Sequence, residues 1–129
     1  MPYVDIVTAL AIIQFIFFGF QVGRARGRYG IKAPSITGNE VFERHFRVQQ
    51  NTLEVLILVI PALYLFSRYY NPLWAAALGV VYLVGRTLYA ISYVKDPAKR
   101  GPGYGLTVLP VLILVAGFGF GAVRQLAWP

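Results

Sequence analysis

A bundle of four membrane-spanning helices, all α, is the fold class this sequence predicts, and three observations carry the prediction. Charged residues make up only 13% of the 129-residue chain, about half of the ~25% usual in soluble domains. Apolar residues reach 57% and gather into four long stretches. The basic residues behind the net charge of +7 are bunched in alternate connections between those stretches.

The first stretch, residues 3–22 (YVDIVTALAIIQFIFFGFQV), carries a single charge, Asp5, at its outer end. A helix over about 3–28 is expected, leaving the membrane at GRARGRYG, where glycines and arginines break the apolar run. It lacks the basic flank and small-residue cleavage site of a secretory signal, so it is expected to be retained. IKAPSITGNE is the first connection, and its last four residues, Thr37 to Glu40, match a capping box for the next helix. That helix is expected over about 39–70, with Pro61 removing one backbone bond and kinking it. Asn71-Pro72 reads as a stop and restart, with Asn as N-cap and Pro at the first helical position. The third helix, about 72–95, ends before Pro97, because the residue preceding a proline avoids helical geometry.

The fourth helix, about 103–126, contains Pro110, a second expected kink, and Gly117 and Gly121 in GxxxG spacing, which permits close helix approach. No strand precedes those glycines, so they are not a dinucleotide fingerprint. A span needs about 20 mostly apolar residues. The first and fourth stretches reach that unaided, and the second and third reach it with their polar-edged turns. Residues 1–129 therefore form a single transmembrane domain.

Of twelve Lys and Arg residues, six lie between Arg24 and Arg47 and three at Lys95, Lys99 and Arg100. Those clusters are the first and third connections, which four spans place on one side. By the positive-inside rule that side is cytoplasmic and both termini lie opposite. A basic rim of this kind sets topology and attracts anionic lipid; nucleic acid is not expected as a partner. The chain has no cysteine and one histidine, His45, which leaves no disulfide, no thiolate nucleophile and no protein-only metal site to expect.

Against this background the polar residues near the spans require a reason. Arg47, Asn51 and Glu54 recur at i, i+4 and i+7 in FERHFRVQQNTLEVLILVIP, so they share one face of helix two, with Gln49 nearby. Arg86, Tyr89 and Tyr93 share a face of helix three, and Arg100 follows beyond Pro97. A charge at a helix centre costs roughly 2.5–3.5 kcal/mol on insertion scales. Apart from Asp5 at the outer end of the first stretch, Glu54 is the only acid carried into an apolar run. Ion pairing and a tyrosine belt would account for any one of these residues. The set of them at one depth exceeds what helix docking needs. Several guanidiniums suit a ligand with more than one carboxylate or phosphate, and one embedded glutamate suits an ammonium on the same molecule. The expected ligand is zwitterionic, net anionic and approached from the cytoplasm, with a lipid-side entry for an apolar partner.

FERHFRVQQNTLE resembles the helix-two signature of the MAPEG family, the membrane-associated proteins in eicosanoid and glutathione metabolism. The family pattern is FERxxRAQxNxxE, and Val48 stands where alanine is usual. GRTLYAISYVKDPAKR is similar to the family's helix-three ending, and the four-helix layout matches over essentially the whole chain. The resemblance implies a homotrimer that binds glutathione, as cosubstrate, between subunits near the cytosolic face. Arg47, Asn51 and Glu54 fall on glutathione-binding positions, Gln49 on a further contact and Arg26 on a helix-one arginine that touches the tripeptide. Tyr89 and Tyr93 fall on the helix-three tyrosines, with Arg86 placed in the same binding set. Arg100 falls on an arginine held to stabilise the thiolate. Gly27 and Val55 depart from the leukotriene-forming branch, which carries an arginine and a tyrosine there, and favour the general glutathione transferase branch.

The expected function is a membrane glutathione transferase acting on lipophilic electrophiles, with glutathione-dependent peroxidase activity towards lipid hydroperoxides as a side reaction. Arg100 stabilises the thiolate, and Tyr93 is a second donor to it. The alternatives are a noncatalytic lipid-binding or scaffold member of the same fold and a small four-helix multidrug transporter. The transporter class uses a helix-one glutamate where this chain has Gln14.

Overall fold

The computed structural model describes residues 1–128. Four helices, each long and apolar enough to cross a membrane, make up the described residues, without a strand: α1 (Pro2–Tyr29), α2 (Glu40–Tyr69), α3 (Pro72–Lys95) and α4 (Gly101–Ala127). A 3-10 turn at Pro97–Lys99 joins α3 to α4. The chain is an integral membrane protein, and many of its large apolar side chains, such as Phe20 and Leu126, point outward.

Helix ends follow the local chemistry, with two departures from expectation. α1 stops at Gly30, whose φ of 66° is the left-handed region that glycine enters without a side-chain clash. The start of α2 is capped by Asn39, not Thr37: its Oδ1 accepts from the Val41 and Phe42 N–H groups at 2.9 and 3.1 Å. Gly38, at φ 129°, turns the chain just before the helix and leaves Thr37 outside it. Its N–H is satisfied by Glu43 Oε2 at 3.1 Å. Asn71 caps α3 through the Leu73 N–H at 2.9 Å, with Pro72 as the first helical residue. The fourth helix begins at Gly101, earlier than expected, because Arg100 already has helical geometry and leads straight in from the 3-10 turn. Both α2 and α4 continue unbroken through Pro61 and Pro110.

The core runs along the bundle axis and joins Val4 and Val7 of α1, Val59 and Leu63 of α2, Ala75 and Tyr82 of α3, and Leu114 of α4. Closest approach occurs between α3 and α4. A Cβ on Gly85 would stand 2.6 Å from the Leu106 backbone, and one on Gly103 would strike the Tyr89 backbone. The GxxxG glycines of α4 receive aromatic rings of α2: a Cβ on Gly117 would lie 2.5 Å from Phe66 and one on Gly121 2.8 Å from Tyr69. The Tyr70 hydroxyl then donates to Gly117 O at 2.8 Å. That motif is thus used inside the chain.

Three buried hydroxyls are satisfied within their own helices, as an apolar solvent favours. Thr52, Ser67 and Thr107 donate to the carbonyls of Val48, Leu63 and Gly103 at 2.7, 2.7 and 2.9 Å. At the end of the bundle that carries the basic connections, Arg44 donates to the carbonyls of Val94 and Lys95 at 3.1 and 3.3 Å. The start of α2 is therefore level with the end of α3, as an antiparallel hairpin demands.

Candidate functional site

The centre of the site is a buried cation. Arg86 has no exposed surface, yet no carboxylate faces it. One guanidinium nitrogen donates to Asn51 Oδ1 at 2.8 Å and to Thr52 Oγ1 at 3.3 Å. Its plane lies over the Tyr89 ring, 4.1 Å from the centroid, where the ring's negative face attracts it. Nε and the other terminal nitrogen have no protein partner. Such a group is costly inside a membrane unless it does something for its neighbours. Here it orients the Asn51 amide and backs the Tyr89 ring.

In front of Arg86 opens a cavity of about 570 Å³ lined by Arg47, Asn51, Tyr89, Tyr93, Arg100 and Tyr104. Helical spacing brings Arg47 and Asn51 to it from α2, and Tyr89 and Tyr93 from α3, where the rings stack at 5.5 Å between centroids. Tyr104 enters from the first turns of α4, its ring 6.1 Å from Tyr89. Arg100 sits at the helix junction with its guanidinium donating to Pro97 O at 2.8 Å, so the 3-10 turn holds it in place. Glu54 stands one turn beyond Asn51, and its carboxylate lies 3.5 Å from Arg47. Both side chains are about half exposed, 53% and 52%, so the pair is worth little as a brace, ~0–1 kcal/mol. It leaves both groups free to exchange each other for a ligand.

The residues expected from sequence divide into three groups. Arg47, Asn51, Tyr89, Tyr93 and Arg100 line one cavity, with Glu54 at its edge. Arg86 belongs to the same cluster but lies behind the lining. Gln49 and Arg26 are elsewhere in this chain. Gln49 packs against Gly19 of α1. Arg26 donates to Ser35 O at 2.7 Å and lies over the Phe42 ring, tied to the first connection. Sequence reasoning missed Tyr104 and Thr52. Tyr104 is four residues after Arg100, a spacing that puts both on one side of a helix. That signal was hidden because the fourth helix was expected to begin only at residue 103. Thr52 follows Asn51 in the polar QQNTLE stretch and carries no charge or aromatic ring to single it out.

Two guanidiniums, one amide and three phenols, with no carboxylate in the lining, can hold carboxylate groups and donate hydrogen bonds to an anion. No cluster of His, Asp or Glu among the described residues could hold a metal ion.

The MAPEG family model matches residues 4–120. An uncharacterized protein of Synechocystis sp. is 48% identical over 123 residues, 95% of this chain and 87% of that protein. Microsomal glutathione S-transferase 2 of Homo sapiens is 38% identical over 88% of this chain and 78% of its own length. Leukotriene C4 synthase of Cavia porcellus is 34% identical over 73% of this chain and 63% of its own length. With the family model covering nearly the whole chain and all four helices in place, this protein is a member of the MAPEG family.

Proposed function

We propose that the protein is a glutathione transferase that joins the glutathione thiolate to lipophilic electrophiles. The observation that carries this reading is the cavity lined by Arg47, Asn51, Tyr89, Tyr93 and Arg100, with its guanidiniums and phenols and no acid. In this reading Arg47 and the oriented Asn51 amide take the tripeptide's carboxylates and backbone, and Glu54 exchanges Arg47 for the ligand's ammonium. Tyr89 closes one wall. Similarity to microsomal glutathione S-transferase 2 supports the choice of ligand.

A free thiol of pKa about 8.5 is mostly protonated at neutral pH, and only its thiolate attacks well. Arg100, at the mouth of the cavity, supplies the positive charge that favours the anion, with the Tyr93 hydroxyl as a second donor. The sulfur electron pair then forms the bond to carbon and the leaving group departs with the electron pair of the broken bond. With a hydroperoxide, two glutathiones are oxidised to the disulfide while the peroxide is reduced to alcohol and water. No nucleophile from the protein is needed. Arg26 and Gln49, remote from the cavity in one chain, would complete it from a neighbouring subunit of a homotrimer. The basic connections would then face the cytoplasm, where glutathione is supplied.

Purified protein incubated with glutathione and a hydrophobic aryl halide should form the thioether at a rate that saturates with both substrates. Glutathione binding without thioether formation or hydroperoxide reduction would instead favour the noncatalytic reading.

A further inference from the structure

On the other side of the α2–α3 seam lies a groove of different character, enclosing about 340 Å³. Phe17 and Phe18 of α1, Val48 of α2, and Ala90, Ile91 and Val94 of α3 line it. Val48 and His45 stand roughly 100° and 160° round α2 from Arg47 at 3.6 residues per turn, so this groove and the polar cavity do not share a face. Of its four polar lining residues, Gln21, His45 and Lys95 lie towards the end with the basic connections, and Thr87 lies further along α3. Gln21 and His45 also line a smaller cavity of about 150 Å³ that includes Arg24, Arg28 and Tyr29. The apolar groove therefore opens directly into a basic pocket.

Two further observations identify the occupant. The first is charge. Neither cavity is lined by an acidic residue. The ion pairs among the described residues are Arg44–Glu40 and Arg47–Glu54, so Arg24, Arg28 and Lys95 have none. The second is length. Thr87 and Ile91 are shared with a shallow furrow that follows α3 as far as Leu83. Lys95 to Leu83 is about 18 Å at 1.5 Å per residue, close to the ~15 Å of one leaflet of hydrocarbon. The basic end lies at the helix termini, where headgroups sit, and the apolar end runs inward.

We propose that this groove binds an anionic phospholipid, with the phosphate held by Arg24, Arg28 and Lys95 and one acyl chain laid along α3 towards Leu83. Basic pockets between membrane helices recognise such headgroups by charge, and here the chain-length groove adds a second contact. A zwitterionic lipid would gain the groove but not the excess of positive charge. A small anion would gain the charge but not the groove.

The test is native mass spectrometry of the full-length protein, stripped of lipid in detergent and titrated with phosphatidylglycerol, phosphatidylcholine of the same chains, or glycerol 3-phosphate. Phosphatidylglycerol should bind about tenfold or more tightly than the other two, since each basic residue near a headgroup contributes to attraction. R24Q/R28Q/K95Q should reduce phosphatidylglycerol to the level of phosphatidylcholine. K32Q/K99Q/R124Q, which removes the same charge elsewhere, should leave the preference intact. Ala90→Phe, which fills the groove, should weaken both phospholipids. Equal binding of the two phospholipids, or equal loss in both triple variants, would overturn the site in favour of general charge attraction. Glycerol 3-phosphate binding as tightly as phosphatidylglycerol would overturn the role of the acyl groove.

Discussion

The α2–α3 seam separates two cavities that are built in different ways. On one side, Asn51 and Tyr89 are fixed by directional contacts to Arg86 at 2.8 and 4.1 Å, and Arg100 is held by a 2.8 Å bond to Pro97. On the other, Phe18, Val48, Ala90 and Val94 bound a groove by packing alone. The first arrangement is sensitive to the loss of a single atom, because Asn51 and Arg100 are each fixed by one short bond. The second is sensitive to volume, because any chain that fits will do. The same helices thus offer one site for a ligand of defined polar geometry and one for a ligand defined mainly by shape and charge.

The largest effect expected on the polar side follows from Arg100→Ala. If Arg100 lowers the bound thiol by one to two pKa units from about 8.5, its removal should cut kcat at neutral pH by roughly 8- to 25-fold, the ratio of the thiolate fractions. The sign is fixed: loss of the cation raises the thiol pKa, so the rising limb of the pH–rate profile moves to higher pH and activity recovers on the alkaline side. A rate loss with no shift of that limb would deny Arg100 its thiolate role.

Next is Arg86→Met, which tests whether a group behind the lining acts through its neighbours. Methionine keeps much of the volume and removes two buried N–H-bearing nitrogens that have no protein partner. It also releases the Asn51 amide. Stability should therefore change by no more than about 1 kcal/mol. KM for glutathione should rise roughly tenfold, the equivalent of ~1.4 kcal/mol. Equal losses of stability and affinity would make Arg86 a structural residue only.

These two arginines also show how far the sequence could be read. Four spans, the hairpin at Asn71-Pro72 and the helix-three end at Lys95 were legible because apolar runs, caps and prolines act locally. Arg47 and Asn51 on α2, and Tyr89 and Tyr93 on α3, were legible because helical periodicity fixes which residues share a face and the hairpin sets the two faces level. Arg100 follows at the end of the second face, beyond Pro97. What Arg86 does was not legible. Periodicity places it beside Tyr89 but cannot say that it is wholly buried and spends its one bonded nitrogen on Asn51 and Thr52. Nor could it show the close approach of α3 and α4 at Gly103, which brings Tyr104 against Tyr89. Those facts depend on contacts between helices that no single-helix pattern contains.

Glu54→Gln is expected to have a smaller effect. The carboxylate is about half exposed, and its contact with Arg47 is long at 3.5 Å, so folding should be nearly unchanged. Losing a charge contact to the ligand's ammonium should weaken glutathione binding by about fivefold, or ~1 kcal/mol. Unaltered affinity in a direct binding titration would remove Glu54 from the site.

The smallest effect belongs to Tyr104→Phe, and it bears on where the two substrates meet. Tyr104 is 44% exposed and, at the start of α4, lines the cavity together with Arg100 and Tyr89. If its hydroxyl donates to glutathione, the phenylalanine variant should raise KM for glutathione by roughly twofold, as expected for a solvent-competed hydrogen bond of ~0.5 kcal/mol. If the ring instead forms a wall for the electrophile, Tyr104→Phe should be silent, because the ring remains. In that case Tyr104→Ala should raise KM for a hydrophobic electrophile while KM for glutathione stays constant. Measuring both constants for both variants separates the two roles. A hydroxyl role makes Tyr104 part of the directional polar cavity. A ring role makes it the point at which that cavity gives way to a surface selected by shape, as on the other side of the seam.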